Sequence, residues 1–116
     1  MRDPVLNGRV EVRQPFLNKQ LELYFRAASV VGRFATLKPS TDKWADNEDA
    51  FLQLYWSELS VVESREVESA MVEVKKAIER YKAAPNDDQA LKGLDGCIYE
   101  LAHSIRRGIK RGWRGL

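Results

Sequence analysis

The segment 51–81 constrains the fold most, because its apolar residues form two helical stripes that cannot belong to one straight helix. At 100° per residue, the second stripe lies about 100° away from the first. A continuous helix would turn one of the stripes into water, so the pattern predicts two amphipathic helices joined by a sharp corner near residues 60–65. The first stripe consists of Phe51, Leu52, Tyr55, Trp56, Leu59 and Val62, and the second of Val67, Ala70, Met71, Val74, Ile78 and Tyr81.

Two sets of capping residues can place this corner. Ser64 can accept a backbone N–H bond at the start of a new helix, whose first turn then carries Glu66 and Glu68. Alternatively, Ser60 and Glu63 fit a capping box, which places the corner earlier. The sequence leaves both positions open.

The most apolar helix is predicted from Pro15 to Leu37. Proline suits the first helical position, and the Lys38-Pro39 pair ends the helix because proline disfavours helix in the preceding residue. Two apolar strips cover most of the circumference, so we expect neighbours on two sides or a dimer face. The strips are Leu17, Leu21, Tyr24, Phe25, Ala28, Val31 and Ala35, and Phe16, Leu23, Ala27, Val30 and Phe34.

The segment before this helix, residues 1–14, is polar and contains Pro4 and the Asn7-Gly8 pair. These features favour a mobile N-terminal arm or an extended lead-in. Residues 15–116 are then predicted to form a single helical domain.

The helices on either side of the corner also have predicted outer ends. Helix 2 is expected to start at Asp42, with Asp42, Asp46 and Asn47 as possible caps. Helix 3 is expected to end near Ala84, because Pro85 follows it.

Helix 4 is predicted to begin with a capping box formed by Asn86 and Gln89. Its apolar stripe consists of Leu91, Leu94, Ile98, Leu101, Ala102, Ile105 and Ile109. The whole pattern predicts an all-α fold, namely a four-helix antiparallel bundle with a sharp corner between helices 2 and 3.

Composition bounds the class of protein. A length of 116 residues suffices for one domain with one core. The single cysteine cannot form an intramolecular disulfide, which suits a reducing compartment. No apolar run approaches the roughly 18–20 residues of a membrane span, and no apolar signal-peptide core is visible. We therefore expect a cytoplasmic protein, with association with a membrane surface as the alternative.

Net charge is only +2, yet the C-terminal helix ends in a run of bases without an acid. Such a run complements the negative end of a helix dipole, and it could also contact a nucleic acid or an anionic membrane surface. The candidates for polyanion binding are Arg106, Arg107, Lys110, Arg111 and Arg114.

Four polar residues are candidates for a carboxylate site. Glu100 and His103 have the Glu-x-x-His spacing that di-iron bundles use, although such a site needs further carboxylates and a second histidine. Glu58 and Glu63 fall near the apolar side of helix 2, where a pair of carboxylates could act as general acid and base or simply cap a helix. A carboxylate/His metal-dependent enzyme is therefore one alternative function.

No complete catalytic or cofactor motif accompanies these residues. The sequence contains no Gly-rich phosphate loop, no Ser/His/Asp set and no Cys/His zinc spacing. Cys97 has no basic partner in its stripe, which indicates a small buried thiol more than a nucleophile. We expect no cofactor and no enzyme activity.

Residues 51–72 resemble a signature of a family of small uncharacterised bacterial helical proteins. In that family a Phe-x-x-Leu-Tyr-Trp-x-Glu-Leu segment leads into Val-Glu-x-x-Glu-Val-Glu-x-Ala-Met-Val. Segments 15–25 and 101–106 are also similar to the family. The resemblance implies no activity, and it implies an apolar or coiled upstream segment where this chain has fourteen residues. The matching residues are Phe51, Leu54, Tyr55, Trp56, Glu58, Leu59, Val62, Glu63, Glu66, Val67, Glu68, Ala70, Met71 and Val72.

The wide apolar surface of helix 1 and the aromatic residues of helix 2 favour a non-enzymatic protein–protein interaction module that self-associates, most simply as a homodimer. Binding of a polyanion through the C-terminal helix is the alternative from another class. The candidate interface residues are Phe16, Leu23, Val30, Phe34, Leu54 and Trp56.

Overall fold

A computed structural model describes the backbone of residues 4–58 and 65–114, and the side chains of residues 15–56 and 65–111. These ranges contain helices and no strand, so the prediction of an all-α bundle is confirmed. No helix in the described part of the chain has the length and apolar character needed to cross a membrane. The helices are α1 (Pro4–Arg33), which continues as a 3₁₀ turn (Phe34–Thr36), α2 (Asp42–Gln53), which continues as a π-helical turn (Leu54–Glu58), α3 (Arg65–Ala83) and α4 (Asp88–Arg114).

Helices α3 and α4 form an antiparallel hairpin. Glu66, at the start of α3, pairs with Arg107 near the end of α4. Helix α1 packs against α4, where the ring of Tyr24 lies over Gly108. The shared core of the bundle lies between these helices and α2.

Aromatic contacts fix the direction of α2. Trp44 near its start packs edge-on against both Phe34 at the end of α1 and Tyr81 near the end of α3, with ring centroids 4.7 and 5.7 Å apart. Tyr55, beyond the end of α2, lies beside Lys75 in the middle of α3. Helices α1 and α3 therefore run one way, and α2 and α4 the other.

The N-terminal boundary of α1 differs from the prediction. The helix begins at Pro4 instead of Pro15, so the backbone of residues 4–14 is helical and the predicted start and extended lead-in are wrong. Pro15 lies inside the helix, where it lacks the N–H of one backbone hydrogen bond. Mobility of residues 1–14 as an arm stays a prediction.

At the C-terminal end of α1, the 3₁₀ turn is closed by the Thr36 hydroxyl, which donates to the Arg33 carbonyl at 2.9 Å.

The start of α2 at Asp42 agrees with the prediction, whereas two caps differ. Thr41 caps α2, because its hydroxyl accepts a hydrogen bond from the backbone N–H of Trp44 at 3.3 Å. Asp87 caps α4 and accepts from the N–H of Gln89 at 2.9 Å. In both helices several neighbouring side chains are chemically suitable as the N-cap. The residue directly before the first helical residue is the one that caps the helix. The caps that were predicted wrongly are Asp42, Asp46, Asn47 and Asn86.

The corner between helices 2 and 3 lies mostly outside the described residues, as do Ser60, Glu63 and Ser64. Before it, α2 passes into the π-helical turn at Leu54. Leu54 is buried, because at 100° per residue it lies on the same side of the helix as the buried Trp44 and Phe51. Trp56 lies about 140° from Phe51 by the same rule, and it is 69% exposed.

The residues that α1 contributes to the core do not coincide with either predicted strip. The buried face of α1 takes residues from both predicted strips, whereas Phe25, Ala28 and Ala35 of the first strip are exposed and Leu21 is half-buried. The core residues of α1 and its 3₁₀ turn are Leu17, Leu23, Tyr24, Ala27, Val30, Val31 and Phe34. They pack against Trp44, Phe51, Leu54, Val67, Met71, Val74, Ile78, Tyr81, Leu94, Leu101 and Ile105.

Candidate functional site

A groove with a volume of about 740 Å³ lies between α3 and α4. Small side chains leave it open, and polar groups stand along its edges. Arg65, Glu66, Ser69, Ala70 and Glu73 line it from α3, and Gly93, Gly96, Cys97, Tyr99, Glu100 and Ser104 from α4. We call it the α3/α4 groove.

Two glycines of the groove have no close packing neighbour among the described residues that would require a glycine. A Cβ atom built on Gly93 or Gly96 would have no neighbour within 4 Å. Gly108 on the same helix is different, because its Cβ would lie 3.2 Å from the ring of Tyr24. Each glycine in a helix interior costs about 1 kcal/mol relative to alanine. Gly108 permits close packing of α1, whereas Gly93 and Gly96 keep a surface empty.

Replacing Gly93 and Gly96 by alanine, singly and together, is expected to raise the free energy of unfolding by about 0.5–1 kcal/mol for each site. Open space surrounds both positions, so the gain in helix propensity is not offset by a clash. Chemical denaturation of the three variants measures the change. Gly108→Ala is the matched control and should gain less, since the Tyr24 ring must shift. A loss of stability at Gly93 or Gly96 would contradict the open groove.

The charges of the groove are unevenly compensated. The Glu66 carboxylate accepts from Arg107 Nε and lies 3.3 Å from Arg111 Nη2, so it is held by two bases. Glu73 has an exposed contact of 3.6 Å with Lys76. Glu100 forms no ion pair within the described side chains. The middle of the groove is therefore acidic.

The half-buried Cys97 thiol lies in this acidic part of the groove. Burial raises the pKa of Cys97, and the carboxylates of Glu73 and Glu100 raise it further, against a smaller opposing effect of Arg80. The thiol therefore stays protonated at neutral pH, which disfavours a role as nucleophile.

The four residues of the predicted carboxylate site are not shown to come together. Glu58 ends the π-helical turn, and Glu63 lies outside the described residues. Glu100 lies in the α3/α4 groove, and the His103 ring packs edge-on against Tyr99 at 4.4 Å between centroids. Across the ranges that the structure describes, no three His, Cys, Asp or Glu side chains lie close enough to hold a metal ion.

The predicted polyanion-binding residues divide into two groups. Arg107 and Arg111 are engaged by Glu66, which neutralises part of the basic run. Arg106 and Lys110 are exposed, and the side chain of Arg114 is outside the described side chains. The basic surface is thus smaller than the sequence suggests.

Most of the predicted interface residues belong to the core. Leu23, Val30, Phe34 and Leu54 are buried within the subunit, so their side chains are not on its surface. Phe16 and Trp56 remain exposed, at 43% and 69%. Trp56 packs edge-on against Tyr55, with centroids 4.8 Å apart.

Sequence reasoning missed two kinds of surface residue. Phe25 and Tyr99 are 60% and 63% exposed, although Phe25 fits an apolar strip that indicated burial. Gly93 and Gly96 carry the only signal that could have revealed the groove, namely glycines in a helix at positions outside its apolar stripe.

Comparison of this chain with family models, with curated proteins and with solved structures finds no match in any of the three.

Proposed function

We propose that the domain is a non-enzymatic protein–protein interaction module that receives a helix of a partner protein in the α3/α4 groove. The observation that carries the proposal is a groove kept open by Gly93 and Gly96, at a cost in helix propensity that no contact among the described residues offsets. Glycine in such a position allows the backbone of another element to approach closely.

The spacing of the groove residues suits a helix. On α4 they follow a 4-3-4 pattern, and on α3 the spacing is three or four residues. These are the intervals at which side chains of a packed helix interdigitate with those of its neighbours at 8–10 Å between axes. The residues that define the pattern are Gly93, Cys97, Glu100 and Ser104 on α4, and Glu66, Ser69, Ala70 and Glu73 on α3.

The charges indicate the chemistry of the partner. Glu73 and Glu100 stand on opposite walls, near the Cys97 thiol, without a buried cation between them in the described structure. A complementary helix carries small or apolar residues toward the glycines and Lys or Arg toward the two carboxylates.

A photoreactive residue at the rim tests this proposal. Tyr99→p-benzoylphenylalanine keeps an aromatic ring at an exposed position of the groove, so the fold should persist. Illumination in the native cells is expected to give one main adduct, and its mapped peptide should be helical and basic on one face.

The matched control adds Gly96→Leu to the photoreactive variant. Leucine fills the groove and is a better helix former than glycine, so the control is not expected to unfold. The adduct should disappear in this variant. An adduct of equal yield in the filled groove, or no adduct in either, would refute the proposed binding mode.

A further inference from the structure

A second surface, separate from the groove, lies on the outer side of α1. Leu21, Phe25, Ala28 and Gly32 follow a 4-3-4 pattern and fall within an arc of about 60°. Ala35 follows three residues later, in the 3₁₀ turn. Phe25 is 60% exposed, Ala28 and Ala35 are exposed, and Leu21 and Gly32 are half-buried. We call these five residues the α1 outer strip.

We propose that the α1 outer strip pairs with the same strip of a second copy of the chain, with the two helices antiparallel. The strip has two large residues in its first half and small ones in its second. In an antiparallel pair, Phe25 of each copy faces Ala28 of the other, and Leu21 faces Gly32. Both pairs have residue numbers that add to 53, so a single two-fold axis produces all these contacts.

The sizes in this register are complementary. A Cβ built on Gly32 would have no neighbour within 4 Å, so the space above it is free to receive the Leu21 side chain. A parallel pair would instead stack Phe25 on Phe25 and leave Gly32 facing Gly32. Knobs set against holes are the arrangement that packs helices densely.

The charges at the side of the strip also favour the antiparallel pair. Glu22 and Arg33 lie on the same flank of α1, and in an antiparallel pair like flanks face each other at the same level. Arg33 has no ion pair among the described side chains, while Glu22 contacts Arg26 at 3.2 Å on the surface. Glu22 of one copy therefore lies near Arg33 of the other.

Sedimentation equilibrium tests the association. The unaltered chain is expected to form a dimer at micromolar concentration, and Phe25→Glu should weaken it about 30-fold or more, as removal of a central apolar contact does. Phe16→Glu is the matched control, since Phe16 is exposed on α1 outside the strip and the variant should dimerise normally. A monomeric wild-type chain at 200 µM, or equal effects of the two variants, would overturn the proposal.

Cysteine cross-linking tests the register, in a chain carrying Cys97→Ser. Facing Cα atoms of helices 8–10 Å apart come within about 6 Å, which a disulfide can span. The double variant Leu21→Cys, Gly32→Cys is expected to form a covalent dimer under mild oxidation. Leu21→Cys alone and Gly32→Cys alone should not, because each residue is about 16 Å from its own copy. A covalent dimer of either single variant would indicate a parallel pair and sink the proposal.

Discussion

Replacing Phe34 by alanine is expected to lower the free energy of unfolding by about 3–5 kcal/mol. The side chain is fully buried in the 3₁₀ turn at the end of α1. Its ring packs edge-on against Trp44 and Phe51 of α2, at 4.7 and 5.9 Å between centroids, and Trp44 in turn contacts Tyr81 of α3. Alanine would leave a cavity beside these rings, and well-packed helices close such cavities only in part.

Urea unfolding followed by circular dichroism measures this loss. Phe16→Ala is the matched control, because the same side chain on α1 is 43% exposed and lies outside the proposed dimer strip, so its removal should change stability by no more than about 1 kcal/mol. Phe34→Leu supplies a milder variant if the alanine variant is unfolded in the absence of urea. Comparable losses for Phe34→Ala and Phe16→Ala would contradict the placement of the core.

Periodicity alone predicted the architecture of the bundle. The two stripes of 51–81 are out of phase, and the structure places their described residues on two helices, α2 with its π-helical turn and α3. Pro85 ends α3 as expected, because its ring is incompatible with a continuing helix. Long amphipathic segments are readable in this way, since one face must be apolar along its whole length.

The details that failed are those for which the sequence pattern allows more than one arrangement. Pro15 is compatible with either the start or the interior of a helix, and the structure extends α1 to Pro4. The predicted stripe of helix 2 was too wide, because Phe51 is buried whereas Trp56, about 140° from it at 100° per residue, is 69% exposed. Apolar residues cover several sides of this segment, so the pattern alone does not fix which side faces the core.

The candidate sites were predictable in part. The excess apolar surface of helix 1 was visible in its two strips, but their division into a buried face and an outer strip depends on where α2 and α4 pack. Leu23 and Phe25 have equal hydrophobic character in the sequence, and only the first is covered. The α3/α4 groove was not predicted, because it arises where Gly93 and Gly96 have no side chain to fill the space.

Replacing Asn47 by aspartate is expected to cost about 3–5 kcal/mol of stability at pH 7, the range for a buried charge without a partner. Asn47 is buried, and its side-chain Nδ2 donates to the Val30 carbonyl at 2.8 Å, which links α2 to α1. The Oδ1 atom has no hydrogen-bond partner in the described structure, so the amide acts here as a donor. A carboxylate would remove that donor and set a negative oxygen against the carbonyl oxygen of Val30.

The loss caused by Asn47→Asp should depend on pH in a defined direction. Burial disfavours the charged carboxyl, so its pKa in the folded variant lies above the value of about 3.9 in the unfolded chain. The folded state then binds more protons between these two values, and stability relative to the unaltered chain falls as pH rises through that window. Below the unfolded value the neutral carboxyl can donate to the Val30 carbonyl, and the destabilisation should largely vanish.

Urea unfolding of the Asn47→Asp variant and of the unaltered chain, at pH 7 and at about pH 4, measures the pH dependence of the loss. Comparison of the two chains at the same pH removes the acid sensitivity that they share. Asp46→Asn is the matched control, since Asp46 is exposed and should show a change of no more than about 0.5 kcal/mol at pH 7. A loss of equal size at both pH values would mean that the carboxyl is not buried against α1. The destabilisation depends on pH only if the carboxylate is buried against the Val30 carbonyl. Absence of this pH dependence would therefore mean that the hydrogen bond from Asn47 to Val30 does not hold α2 against α1.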